Sequence, residues 1–233
     1  GIETGNGSAS AIRVVSTAGR ILDNGDTRLD IIADTGPAAK LTIEAAKGIG
    51  DDQLDMRLLN LEAKSGGVVD INAQNGVNIV GITADDRVWL TAGGDITGAS
   101  VTSTGTGTTN PDQNVRIEST TGGVDLASVS GRYGVSVAGA GGVEIDMVNV
   151  GTRLDLAGPQ IVASVNGGAA AVGGSVTGYG GGVANNVNLT LSAPGGFSLD
   201  SLLSSSANVR VPVGALSVDT LLITDRATID NPQ

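Results

Sequence analysis

The 233-residue sequence contains no cysteine and no histidine. Without cysteine there is no disulfide staple and no thiolate chemistry. Without histidine the commonest general base and the commonest zinc ligand are gone, and much of ordinary enzymology goes with them. Aromatic residues are nearly missing, since Trp89, Tyr133, Tyr179 and Phe197 make up the whole set. A thick globular core draws on such side chains, so the core here has to be thin and layered, built from Val, Ile, Leu and Ala. Positive charge is scarce as well, with 13 Lys and Arg against 24 Asp and Glu and a net charge of −11. The charges are spread singly, so no basic patch exists for phosphate and nucleic acid is not an expected partner. No stretch approaches the roughly 20 apolar residues of a membrane helix, so membrane insertion is not expected either. The opening Gly1-Ile2-Glu3-Thr4 has neither the basic nor the apolar region of a signal peptide, which fits an interior stretch or a mature product.

What the sequence does have is glycine, at 37 positions, with 40% hydrophobic and only 16% charged residues. That balance belongs to a chain that folds rather than to an acidic disordered one. A three-residue unit, apolar then polar or small then apolar, recurs along it. It appears as Leu29-Asp30-Ile31, Leu41-Thr42-Ile43, Leu59-Asn60-Leu61, Val69-Asp70-Ile71, Val88-Trp89-Leu90, Val115-Arg116-Ile117, Val124-Asp125-Leu126, Val135-Ser136-Val137, Val143-Glu144-Ile145 and Leu154-Asp155-Leu156, among others. Each reads as a short β-strand with its ends facing inward and its middle facing out. Every second unit returns after close to 19 residues, as from Val69 to Val88 and from Val124 to Val143. Between units stand Gly66-Gly67, Gly93-Gly94, Gly122-Gly123, Gly141-Gly142 and Asn75-Gly76, which suit tight corners.

A strand of this length cannot bury its apolar side alone, but stacked coils close a continuous core. The expected fold is therefore all-β, a right-handed parallel β-helix or β-solenoid with two strands per coil of about 20 residues, running as a single segment over 1–233. A β-sandwich shares the turn spacing, but wants longer strands, more aromatics and less glycine. Two gaps in the repeat predict insertions, at 98–114 and 163–186. Each reads either as a binding loop on one side of the solenoid or as a loop without a ligand. For the second, an irregular coil with weak strands at Ile161-Val162 and Ser175-Val176-Thr177 is the other reading.

A solenoid of this kind can carry an active site, so the acidic clusters matter. Asp51, Asp52 and Asp55, and separately Asp85 and Asp86, could hold calcium through oxygen ligands, or act as an acid and base pair beside Arg57 or Arg87. The other reading places both clusters at corners, where aspartate caps turns and stays hydrated. That reading is preferred, so no catalytic, cofactor-binding or metal residue is expected. The strand middles Asp30, Asp70, Asp125, Glu144 and Asp155, with Arg116, Arg210, Asn60, Asn78 and Asn188, read as an outer solvated face that can carry ion pairs or polar ladders.

The short strands and glycine corners, as in Leu90-Thr91-Ala92-Gly93-Gly94-Asp95-Ile96-Thr97-Gly98 and Gly142-Val143-Glu144-Ile145-Asp146, resemble the repeats of filamentous haemagglutinin-like exoproteins of two-partner secretion systems. The resemblance spans about residues 12 to 225. It implies a secreted rod on a bacterial cell surface that works in adhesion, aggregation, biofilm or display. No Asn-Pro-Asn-Gly-type secretion signature occurs, and Asn110-Pro111-Asp112 is not an adequate match. The expected partner is a glycan or protein of a host or bacterial surface, with lateral or end-to-end self-association as a further expectation. A passive stalk and a glycan-cleaving β-helix enzyme are the alternatives.

Overall fold

The computed structural model describes residues 1–23, 25, 28–105, 114–179 and 185–231, and only the backbone of Asp51 and Asp52. Among these residues there is no helix, and 21 strands join into one sheet whose paired strands all run parallel. From Ile31–Ala33 to Phe197–Val213 successive strands pair by skipping one, whereas the first three skip two and Asn186–Ser192, Phe197–Val213 and Leu216–Asp230 pair in sequence. Thus Val69 of the strand Val68–Ala73 lies beside Val88, Val88 beside Val115, and Val115 beside Val135. The intervening strands form a second column, Val77 beside Ile96 beside Val124 beside Val143. This is a parallel β-solenoid with two strands per coil, as the repeat predicts.

The inward positions stack rung on rung. One wall runs Ile71, Leu90, Ile117, Val137, Leu156, Val176 and Leu202, each no more than 1% exposed. Beta-branched and leucyl side chains suit these positions because each packs against its equivalents about 4.8 Å above and below. In Val77–Ala84, Gly123–Gly131 and Gly142–Val150 the in-and-out alternation slips phase once. The strand bends there, so one coil carries three short inward runs. Val80 and Met147 are exposed because they sit at such bends.

Where a strand turns into a corner, small inward residues take over, and some are polar. Ser119 Oγ donates to Gly94 O at 2.8 Å and accepts from Gly122 N at 3.0 Å, so a buried hydroxyl closes the corner between coils. Asn114 is fully buried, and its Oδ1 accepts from Tyr133 N at 2.7 Å. Buried polar groups of this kind are tolerated because their hydrogen bonds are made. Gly174 holds an inward position with φ +131°, and a Cβ there would lie 1.8 Å from Leu154 O. Only glycine fits, and the register shifts just after it.

Three expectations need correcting. Asp70, placed by its pattern on the outer face, is only 5% exposed. It lies under a bulge: Val69 pairs with Ile49 but Ile71 pairs with Leu54, so the segment from Gly50 to Gln53 arches over it. Gly50 and Gln53, both at φ 63°, make that arch possible. Second, Leu29-Asp30-Ile31 and Leu59-Asn60-Leu61 are not strand centres. The strands are Ile31–Ala33 and Asn60–Ser65, and Leu29 and Leu59 stand half-buried at the corners before them.

Third, the expected insertions at 98–114 and 163–186 are narrower than that. Ile96–Ser103 is a strand in register with both neighbours, so the extra length follows Ser103, and 106–113 lies outside the described residues. Gln160–Gly167 and Val172–Gly178 are strands containing Ile161-Val162 and Ser175-Val176-Thr177, each with one register shift against a neighbour, as in the irregular-coil reading, and 180–184 lies outside the described residues. A further long coil, from Ile12 to its register partner Leu41, has no counterpart among the expectations.

Candidate functional site

The acidic clusters are built into the scaffold at two different kinds of place. Asp51 and Asp52 belong to the bulge above Asp70, and their side chains lie outside the described residues. Asp55 accepts from Asn72 Nδ2 at 2.8 Å, and its backbone N donates to Asp30 Oδ2 at 3.1 Å, tying adjacent coils. Arg57, a candidate electrostatic helper, donates from Nε to Asp34 Oδ2 at 2.5 Å. Asp85 and Asp86 stand at a corner, where their backbone carbonyls accept from the hydroxyls of Thr104 and Ser103, whereas Asp51, Asp52 and Asp55, also expected at a corner, lie in the strand Gly48–Leu58. Arg87, the other helper, lays its guanidinium over the Trp89 ring, 4.1 Å from the centroid. Among the described residues no three acidic, histidine or cysteine groups gather closely enough to hold a metal ion.

The outer face carries ladders. Asn78 Nδ2 donates to Asn60 Oδ1 at 2.9 Å on the next coil. Asp125 and Glu144 are direct register partners and both exposed, a like-charge contact that costs a few tenths of a kcal/mol up to about 1. Arg116 pairs with Glu118 at 2.8 Å and Arg153 with Asp155 at 2.8 Å, each within its own strand. Exposed pairs of this type add little stability. Glu62 takes a hydrogen bond from Lys40 Nζ at 2.6 Å, and that bond holds its carboxyl below the ordinary value of 4.5 against the opposing effect of burial.

One outward track differs from the rest. Register places Thr83, Thr102, Ser130, Asn149, Asn166 and Ser192 one above another on six successive rungs. None is charged. Asn149 Nδ2 donates to Ser130 Oγ at 3.0 Å, and Asn166 Nδ2 reaches Asn149 Oδ1 at 3.4 Å. Beside the track an open groove of about 430 Å³ is lined by Ser130, Arg132, Asn149, Asn166 and the glycines 131, 151, 167 and 168. Three of those glycines, 131, 151 and 167, answer to packing first. A Cβ on Gly151 would fall 1.9 Å from Arg132 O, and one on Gly131 would fall 2.7 Å from Gly134 O. Gly131 and Gly167 hold inward places in register with buried Val150, so the stretch free of side chains beside the polar ladder is that of Gly151 and Gly168.

Arg132 is the one charged residue among those lining the groove, and it is exposed. Its guanidinium lies 5.5 Å from the centre of the Tyr133 ring, a cation–π contact that limits its wandering. Tyr133 is itself held by Asn114 Oδ1 and accepts backbone bonds from Gly151 N and Thr152 N at its carbonyl. Sequence reasoning missed this track. Its only sequence signal is the return of Ser or Asn at Ser130, Asn149 and Asn166, which looks like any corner composition until the register is known.

No family model, no curated protein and no solved structure matches this chain.

Proposed function

We propose that the chain is a rod segment of an extracellular bacterial surface protein, serving attachment, aggregation or display rather than catalysis. The observation that carries this reading is the stack of parallel rungs itself, which presents long polar ladders at fixed spacing along its sides. Solenoids of this kind offer extended recognition surfaces. The resemblance of the glycine-cornered repeats to filamentous haemagglutinin-like exoproteins agrees with the same role. The carboxylate of Asp55 and the guanidinium of Arg57 are held in bonds between coils, which favours a scaffold role for that cluster over acid–base work.

Beads coated with the chain should adhere to bacterial or host-cell surfaces, or to one another, more than albumin-coated beads do. Beads that adhere to none of these make the chain a passive stalk. Release of reducing or unsaturated ends from acidic polysaccharides by the purified chain would overturn the non-catalytic reading.

A further inference from the structure

We propose that the groove over Ser130, Asn149 and Asn166 binds an uncharged, pyranose-based oligosaccharide lying along the solenoid axis. This deepens the attachment reading above and rests on it.

The shape and chemistry of the track point to this class of ligand. Rungs repeat about every 4.8 Å along the axis, which is close to the length of one pyranose unit, so successive sugars meet successive rungs in the same way. An asparagine amide has two donors and an acceptor, and each ladder bond consumes only part of that capacity. Asn149 donates once to Ser130 and accepts once from Asn166, leaving a donor and a lone pair on its amide for a ligand. Asn166 likewise keeps donor and acceptor capacity at its exposed end. Such mixed donor and acceptor rows suit hydroxyl groups, which are both at once.

Gly151 and Gly168, which carry no side chain over the groove, let a ring approach the backbone there. Arg132 borders it with a planar fork that can take two neighbouring sugar oxygens, and its seat on Tyr133 reduces the freedom lost on binding. Electrostatics select against polyanions. The chain carries a net −11, the six-rung track is uncharged, and a single guanidinium offers little to a densely charged polymer. A second outward track on the same strands, Thr97, Asp125, Glu144, Val162 and Asn188, is different in kind, since Asp125 and Glu144 interrupt it with adjacent carboxylates.

The test is calorimetric titration of the whole chain with hexasaccharides of glucose, mannose, galactose and N-acetylglucosamine, with hexagalacturonate as the acidic probe. At least one uncharged hexasaccharide should saturate the chain at about 1 mM or below. The Asn149→Ala/Asn166→Ala variant should weaken it about tenfold or more, since several hydrogen bonds are lost. Arg132→Ala, at an exposed position, should weaken it severalfold with an unchanged melting curve. Asn188→Ala, on the other long track, should bind like the parent. The proposal is overturned if no uncharged hexasaccharide binds, if hexagalacturonate alone binds, or if the Arg132 and asparagine variants bind as the parent does. Coated beads that adhere equally well with and without these substitutions would leave the attachment reading standing while removing the groove from it.

Discussion

Ile117→Asp puts the layered core to a quantitative trial. Ile117 is 1% exposed, and its register partners Leu90 and Val137 are each 1% exposed, so the substitution falls inside a fully buried layer. Trimming an isoleucine at such a site costs about 2–5 kcal/mol. The new carboxyl must also stay neutral. Raising its pKa from about 3.9 to beyond 7 adds about 4 kcal/mol at pH 7, at about 1.4 kcal/mol per unit. The total, about 6–9 kcal/mol, rivals the whole stability of a typical domain, about 5–15 kcal/mol.

Because rungs contact only their neighbours, the damage should be local at first. Hydrogen exchange should accelerate in Val88–Ala92, Val115–Ser119 and Gly134–Gly139 before it does in Asn186–Ser192. The variant's folded pKa is raised, so its penalty is fully felt above that pKa and shrinks as pH falls toward the unfolded value. Its melting deficit against the parent should therefore narrow from pH 7 to pH 4. Unchanged melting and exchange at pH 7 would refute the inward assignment of Ile117, and a deficit independent of pH would refute the buried carboxyl.

Three smaller expectations follow from the same structure. Gly174→Ala should lower the melting temperature by several degrees, because the new Cβ would meet Leu154 O at 1.8 Å, whereas the same exchange at exposed Gly5, which has open space around it, should do little. In denaturant titration Asp70→Ala should cost about 1–3 kcal/mol, as for other buried polar groups, while Glu144→Gln, which relieves repulsion from Asp125, should be neutral or slightly stabilising. Glu62 has a folded pKa below its unfolded one, chiefly through Lys40, so its bond with Lys40 supports the fold above about pH 4.5 and that support is lost as pH falls through the folded value; Lys40→Met should reduce this small component of acid sensitivity in melting curves between pH 5 and pH 3.

The repeat was legible where chemistry alternated sharply. In Val115-Arg116-Ile117 a cation between two branched apolar residues leaves one face for the core, and the structure buries the pair and exposes Arg116. Leu59-Asn60-Leu61 has the same apolar, polar, apolar pattern yet straddles a corner, because three residues do not tell a strand from a turn. Asp70 followed the outward pattern but is covered by residues 50–53, and an arch made by a neighbouring strand leaves no mark on the triplet beneath it. The weak strand Val172–Gly178 was hidden by its glycines, one of which fills an inward place because the backbone above demands it. The groove was illegible for a related reason. Ser130, Asn149 and Asn166 become neighbours only through a register that passes through bends and shifts between Ile145 and Val148.

That register can be read directly, since a chain without cysteine takes engineered pairs with no background. Thr97 lies beside Asp125 across the long coil, 28 positions on, whereas a 19-residue period running straight through would bring it to Arg116 instead. Parallel neighbours sit within the Cα separation of about 4.4–6.8 Å that a disulfide spans. Under mild oxidation, the Thr97→Cys/Asp125→Cys chain should form an intramolecular disulfide, detected by mass spectrometry and a non-reducing gel, and the Thr97→Cys/Arg116→Cys chain should stay reduced. A disulfide in the second variant and none in the first would contradict the solenoid register on which the rungs, the polar track and the groove all depend.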